Sequence, residues 1–177
     1  PPHEIAFVSG IGCSSRIPGY TTAYGFNSVH GRALPIAQGI KLANQNLLVL
    51  VAGGDGDAFA IGGGHVAHAI RRNVDLTYIV MDNEVYGMTK GQASPTTPID
   101  WERSKLTPHG TGVRPFKPAA LALAAGAPWI ARGYSGNPNQ MAGLIAAALQ
   151  HRGFSFVHAV TQCITFCPEQ TDWKSIV

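Results

Sequence analysis

The chain has 177 residues, 45% of them hydrophobic and only 13% charged, with a formal net charge of +3. That length suits one domain over 1–177 with a single core, and the sparse charge implies that partner subunits cover part of its surface. Nucleic-acid binding has no support beyond the pair Arg71-Arg72, no apolar run approaches the roughly 18 residues of a membrane helix, and no signal-peptide layout is present.

The chain opens Pro1-Pro2-His3-Glu4 and runs at once into a strand pattern, Glu4–Ser9, so material before residue 1 is expected to be missing. Gly10-Ile11-Gly12-Cys13-Ser14-Ser15-Arg16 follows as a loop of small residues in which backbone can approach a ligand closely. Thr21–His30 is polar and glycine-containing and reads as a loop. Leu34, Ala37, Ile40 and Leu42 give the apolar positions of a helix from about Gly31 to Asn44, and Leu47–Ala52 is the second strand.

Asp57 is placed to cap a helix over Ala58–Arg72. Gly62-Gly63-Gly64 inside that helix costs about 1 kcal/mol per glycine relative to alanine, which implies close packing against a strand or a ligand. Leu76–Met81 is the third strand. Gly91–Phe116, rich in Pro, Thr, Ser and Gly, is a long connection of the kind that carries function or binds partners. A short helix over Pro118–Ala125, a strand at Trp129–Ala131, a helix over Asn137–His151 and a strand at Phe154–Val160 complete the chain. The order predicts an α/β fold, an open and mostly parallel sheet with helices on both faces.

Asp55 and Asn83 each fall just past a strand and are separated by one strand–helix–strand unit. In a parallel sheet both therefore lie at the carboxyl edge, where such sheets bind ligands. Asp55 offers a charged oxygen, Asn83 a neutral one, and the backbone carbonyl of Val85 a third. Mg²⁺ completes its six oxygens with phosphates and water. The helix start near Asp57 turns free N–H groups toward the same place, which favours a diphosphate. Rival motifs fail: counting an EF-hand loop from Asp55 puts Ala60 and Val66 where Gly and Glu are needed, no Walker GK[ST] exists, and a G-x-G-x-x-G from Gly54 meets Phe59. His65 and His68 stand three apart on a helix but read more simply as one packed and one exposed histidine.

Gly54-Asp55-Gly56 followed by Asn83 resembles the thiamine diphosphate–Mg²⁺ motif. Together with Gly10–Arg16, His30-Gly31-Arg32-Ala33-Leu34-Pro35 and the block Asn83–Thr96, it is similar to the β subunit of 2-oxoacid:ferredoxin oxidoreductases, most of all the 2-oxoglutarate or broad 2-oxoacid type. The resemblance covers most of residues 4–167. It implies the thiamine diphosphate-binding fold, with Asp55, Asn83 and the Val85 carbonyl on Mg²⁺. Gly54, Gly56, Asp57, Gly87, Met88 and Thr89 would line the diphosphate, and Gly12, Cys13 and His30 would sit near the cofactor. Arg16 matches the basic residue facing the 2-oxoacid carboxylate, a task suited to a planar guanidinium fork. Met88 would shape the substrate pocket.

The resemblance also makes Cys13 and Cys163 ligands of a [4Fe-4S] cluster that needs four thiolates. The family takes the other two from a motif ahead of the first strand, absent here, so the ligand set in this chain is incomplete; Cys167 cannot replace both. Expected partners are an α subunit holding the pyrimidine end of the cofactor, ferredoxin and coenzyme A, with no nucleic acid and no membrane. The family's glutamate that activates the pyrimidine lies on the α subunit, and Glu84 adjoins the wrong end of the cofactor. Three cysteines, an odd and sparse number, fit a reducing cytoplasm. Two other readings stay open: the matching domain of a non-oxidative thiamine-dependent decarboxylase, and a non-catalytic scaffold subunit.

Overall fold

The computed structural model describes residues 1–170. In chain order it contains β1 (Ile5–Ser9), β2 (Tyr24–Asn27), α1 (Ala33–Ala43), β3 (Leu48–Gly54), α2 (Gly63–Arg72), β4 (Leu76–Asp82), a two-stranded hairpin of β5 (Val85–Tyr86) and β6 (Gln92–Ala93), α3 (Pro118–Ala124), β7 (Trp129–Tyr134), α4 (Pro138–Gln150) and β8 (Phe154–Val160). Six strands form one sheet in the order β2-β1-β3-β4-β8-β7, and every pairing is parallel.

The central strands are apolar on both faces because both are covered, as parallel sheets require. Alternate residues divide between two cores. Val8, Val51, Tyr78, Val80, Phe154 and Phe156 pack with Leu34 and Ala37 of α1, Val66 and Ile70 of α2 and Ala122 of α3. Phe7, Leu50, Ile79, Val157 and Ala159 pack with Met141 and Ala148 of α4 on the opposite face. At the start of α4, Asn137 caps the helix by accepting a hydrogen bond from the Gln140 amide, and Pro138 occupies its first turn.

Three local readings differ from the structure. Tyr24–Asn27 is a strand rather than loop: it pairs with β1 at the sheet edge, and all four residues are exposed, so no burial alternation marks it. The residues after Gly12 form a 3₁₀ helix, Cys13–Tyr20. The stretch expected as one helix from Ala58 begins as a π-helical turn, Asp57–Ile61, before α2. Asp57 makes no side-chain cap there; its carboxylate turns back to other loops. Of the three glycines, only Gly62 is sterically required, because a Cβ would stand 2.4 Å from the Asp57 carbonyl oxygen and 3.3 Å from Gly31 Cα; Gly63 and Gly64 meet nothing within 4 Å. The close approach within the chain is thus to the preceding turn and the Gly31 loop rather than to a strand.

Candidate functional site

The carboxyl ends of β1, β3 and β4 lie side by side, and the segments leaving them wall a cavity of about 550 Å³. Gly12, Cys13, His30, Gly54, Asp55, Gly56, Asp57, Asn83, Val85, Gly87, Met88 and Thr89 all line it. Ile11, Ser14, Met81, Tyr86, Gln92 and Thr161 complete the wall and were not singled out from sequence. Tyr86 and Gln92 stand inside the Asn83–Thr96 block, which was the available signal; Thr161 carries none.

Asp57 organises the loops. Its Oδ1 accepts from the Ile11 amide at 3.0 Å and the Gly31 amide at 2.7 Å, and lies 2.9 Å from His30 Nδ1. One buried oxygen thereby fixes the loops after β1 and β2 against the turn after β3. Gly31 has φ +70°, and a Cβ there would stand 2.0 Å from Ile61 Cγ2. The His30 ring meets Tyr86 edge-on, with centroids 6.2 Å apart. Tyr86 in turn lies against Gly56, where a Cβ would come within 2.1 Å of its ring, so the backbone between Gly54 and Asp57 stays bare beside the cavity.

Asp55 is 3% exposed. Its Oδ2 accepts from Thr96 Oγ1 at 2.9 Å, and the same hydroxyl lies 2.8 Å from Asp82 Oδ1. Burial, and then the neighbouring charge of Asp82, push the Asp55 carboxyl up to about 7, against the partial opposition of the Ser94 and Thr96 hydroxyls. Glu84 is likewise pushed up to about 7, first by burial and then by Asp82 and Asp55. It faces a separate pocket with Trp101, Cys167 and Glu169 rather than the main cavity. The turn after β4 is set by Asn83, whose Oδ1 accepts from the Val85 amide at 3.2 Å, and by Val85, whose carbonyl accepts from the Gly87 amide at 3.0 Å. Each of those two oxygens retains a second lone pair.

The sulfurs of Cys163 and Cys13 lie 3.3 and 4.0 Å from the point where a Cβ on Gly87 would stand, so both approach the bare Gly87 backbone; Cys13 lines the cavity rim and Cys163 lies outside its lining. Both are free, as is Cys167, which is 1% exposed and whose thiol burial pushes up to about 12. Gln170 joins Cys163 to the turn: its Oε1 accepts from the Cys163 amide at 3.0 Å and its Nε2 donates to the Asn83 carbonyl at 2.9 Å. Arg16 does not line the cavity. It lies exposed on the 3₁₀ helix, its guanidinium 5.8 Å from the Tyr20 ring centroid. Met88 lines the cavity and is 53% exposed.

Two features fit this cavity to a phosphate-bearing cofactor and a hard cation. Ser14 Oγ, on a residue 2% exposed, is buried at its wall without a hydrogen-bond partner. The oxygen set is one carboxylate, one amide and one carbonyl, which suits Mg²⁺ when phosphate oxygens complete the shell. Among the described residues no three His, Cys, Asp or Glu side chains gather as a self-sufficient metal centre.

The profile described as "Thiamine pyrophosphate enzyme, C-terminal TPP binding domain" matches residues 10–159. The chain belongs to this family. It is 48% identical over 98% of its length to the 2-oxoglutarate synthase subunit KorB of Methanothermobacter marburgensis, and 47% identical over 92% of its length to the 2-oxoglutarate oxidoreductase subunit KorB of Mycobacterium tuberculosis. It spans 61% and 43% of those two proteins, respectively. A solved structure of 2-oxoglutarate:ferredoxin oxidoreductase from Magnetococcus marinus, with 2-oxoglutarate, coenzyme A and succinyl-CoA bound, superposes with a TM-score of 0.91 at 45% identity, over 93% of this chain and 56% of that one. A thiamine diphosphate-dependent 4-hydroxybenzoylformate decarboxylase from Rhodococcus jostii shares the fold, with a TM-score of 0.61 at 17% identity, over 92% of this chain and 30% of that one. The likeness to β subunits of 2-oxoacid:ferredoxin oxidoreductases that the sequence motifs imply therefore holds across most of the chain.

Proposed function

We propose that the chain is the diphosphate-binding β subunit of a 2-oxoacid:ferredoxin oxidoreductase, with 2-oxoglutarate as the favoured substrate, acting with an α subunit that holds the pyrimidine end of the cofactor. The observation that carries this reading is the meeting of Asp55, Asn83, Val85 and the bare Gly54–Gly56 backbone in one cavity, with the free thiols of Cys13 and Cys163 both close to Gly87 in its wall. Similarity to the KorB subunits and to the Magnetococcus marinus enzyme supports the oxidative class and the use of coenzyme A.

Asp55, Asn83 and the Val85 carbonyl would hold Mg²⁺, and Gly54, Gly56 and Thr89 would border the diphosphate. Bound thiamine diphosphate supplies a nucleophilic carbon for the 2-oxoacid carbonyl and accepts the electron pair released with CO₂. The protein's part is placement. Asp57 and His30 hold the loops after β1 and β2 against the turn after β3. Met88 forms the exposed wall that limits the substrate side chain, and Arg16 would meet the substrate carboxylate after its guanidinium leaves Tyr20. Cys13 and Cys163 would give two of the four thiolates of a [4Fe-4S] cluster that passes electrons to ferredoxin. Free thiols fit a reducing cytoplasm, and among the described residues no helix is long and apolar enough to cross a membrane.

The test is to purify the chain within its full natural polypeptide, co-expressed with its α partner. We expect 2-oxoglutarate and coenzyme A to drive ferredoxin reduction, with thiamine diphosphate, Mg²⁺, iron and sulfide recovered from the protein. Cofactor without iron or sulfide would favour a non-oxidative decarboxylase; a folded heteromer that takes up no thiamine diphosphate would leave only a scaffold role.

A further inference from the structure

The turn after β4 leaves the sheet, and side chains rather than backbone hold it there. β4 and β8 stay paired as far as Asp82 and Val160, and the Thr161 amide still donates to the Asp82 carbonyl at 2.8 Å. Past that point the two chains part, because Val85 and Tyr86 turn off into the hairpin with β6. Glu84 has φ +60°, in the left-handed region that a residue with a Cβ keeps only when its surroundings hold it. The Thr97 hydroxyl donates to the Glu84 carbonyl. Gln170 fills the gap between the parting chains, accepting from the Cys163 amide at 3.0 Å and donating to the Asn83 carbonyl at 2.9 Å. A primary amide carries the donor and the acceptor of a peptide group. Gln170 is thus a rung inserted where the β4–β8 ladder has ended.

The rung is itself fixed. Gln170 is 6% exposed. Its own amide donates to the Cys167 carbonyl at 3.1 Å, and the Cys167 amide donates to the Cys163 carbonyl at 2.9 Å. The segment from Cys163 to Gln170 therefore folds back and returns the side chain to its own beginning. Cys163 Sγ in turn lies 3.3 Å from the point where a Cβ on Gly87 would stand, so this segment backs Gly87 in the cavity wall. On the reading of the cavity given above, we propose that Gln170 is a positioning residue for cofactor binding. It fixes the Asn83 turn and the Cys163 segment against each other, so that the Asn83 side chain and Gly87 meet the cofactor in place. Without it the Asn83 carbonyl and the Cys163 amide lose their partners, and a turn with a left-handed residue is free to relax. Outer partners of metal ligands typically change metal affinity about 10–100-fold when removed.

The experiment uses the assembled α–β enzyme with the full natural β polypeptide. Calorimetry reads Mg²⁺-dependent thiamine diphosphate affinity. After chelation of any iron, mass spectrometry reads the rates at which iodoacetamide labels Cys163 and Cys167. Cys163 is half-buried and Cys167 is buried, so Cys167 reports general loosening of the fold. In Gln170→Leu, cofactor affinity falls at least about tenfold and Cys163 labels faster, while Cys167 stays protected. Gln170→Glu, kept ionised at about pH 8.5, retains the acceptor for the Cys163 amide and loses the donor to Asn83. There cofactor affinity falls and Cys163 labels at its unaltered rate. That split marks the rung, because general loosening would move both readings and Cys167 with them. Should the leucine variant not fold, the glutamate variant decides alone. A folded leucine variant with unaltered cofactor affinity overturns the proposal and leaves the cofactor reading intact. So does a glutamate variant that keeps its affinity, or one that loses it while Cys163 labels faster. Unaltered enzyme that takes up no thiamine diphosphate with Mg²⁺ present overturns both.

Discussion

The two edges of the sheet treat charge in opposite ways. At the amino edge, Lys41 donates to the Leu47 carbonyl at 2.8 Å and pairs with Asp75 Oδ2 at 2.9 Å. Burial alone would raise Asp75, but the hydrogen bonds from Lys41 and Gly153 and the charges of Lys41 and Arg152 outweigh it and bring the carboxyl below its ordinary value. At the carboxyl edge Asp55, Asp57 and Asp82 are all buried, and the side-chain partners of Asp55 are hydroxyls rather than cations. One edge balances its charges with the chain's own lysine and arginine. At the other, His30 and His158 face Asp57 and Asp82, while Asp55 has no basic partner among the described residues and burial drives its carboxyl toward the protonated form, a state that an arriving cation would reverse.

Breaking the carboxyl edge at its centre should have the largest effect. Asp55→Ala is expected to weaken Mg²⁺-dependent thiamine diphosphate binding in the assembled enzyme by at least about 100-fold, measured by calorimetry, because it removes the site's charged ligand. Asp57→Ala strands the donors of Ile11, Gly31 and His30. We expect it to cost about 3 kcal/mol of stability in urea unfolding without metal, by the usual penalty for unpaired buried polar groups.

A pH series sharpens the contrast. Because the Asp55 carboxyl sits near 7 in the metal-free chain, protons compete with the cation below that pH, and Mg²⁺ affinity should fall about tenfold per unit there while staying level above it. The metal-free fold has the opposite slope: it holds a proton between about 4 and 7 that the unfolded chain has lost, so its stability declines as pH rises through that window. Gly56→Ala pushes a methyl group into the Tyr86 ring and should cost about 1–3 kcal/mol, read as a lowered melting temperature. Asp75→Asn is the control at the other edge. Its partner Lys41 is buried, so some stability is lost, but the pair lies at the opposite end of the strands from the cavity and cofactor affinity should not move.

Much of the carboxyl edge was legible because it is written in contiguous motifs. Gly54-Asp55-Gly56 and Asn83–Thr89 each leave a strand end, and strand order follows from the β–α alternation, so twelve of the thirteen residues expected around the cofactor and substrate line one cavity. Arg16 is the exception, because the 3₁₀ helix after Gly12 turns its side chain onto Tyr20. The helpers behind Asp55 were not legible. Thr96 lies 41 positions from Asp55, and His158 lies 76 from Asp82; no local pattern ties residues that only strand pairing brings together. Strand β2 escaped notice for a different reason: an exposed edge strand of four residues has no buried side to write into its sequence. Asp57 was misread as a cap because an aspartate before a helix ordinarily is one, whereas here distant amides after β1 and β2 compete for it and win.

The seat of β8 between β4 and β7 also governs how the molecule is made. Until the ribosome has released residues 154–160, β4 exposes an unpaired apolar margin, and Asp82 waits for the histidine that will anchor it. A nascent chain halted before that point is a sticky intermediate, the kind that chaperones shelter.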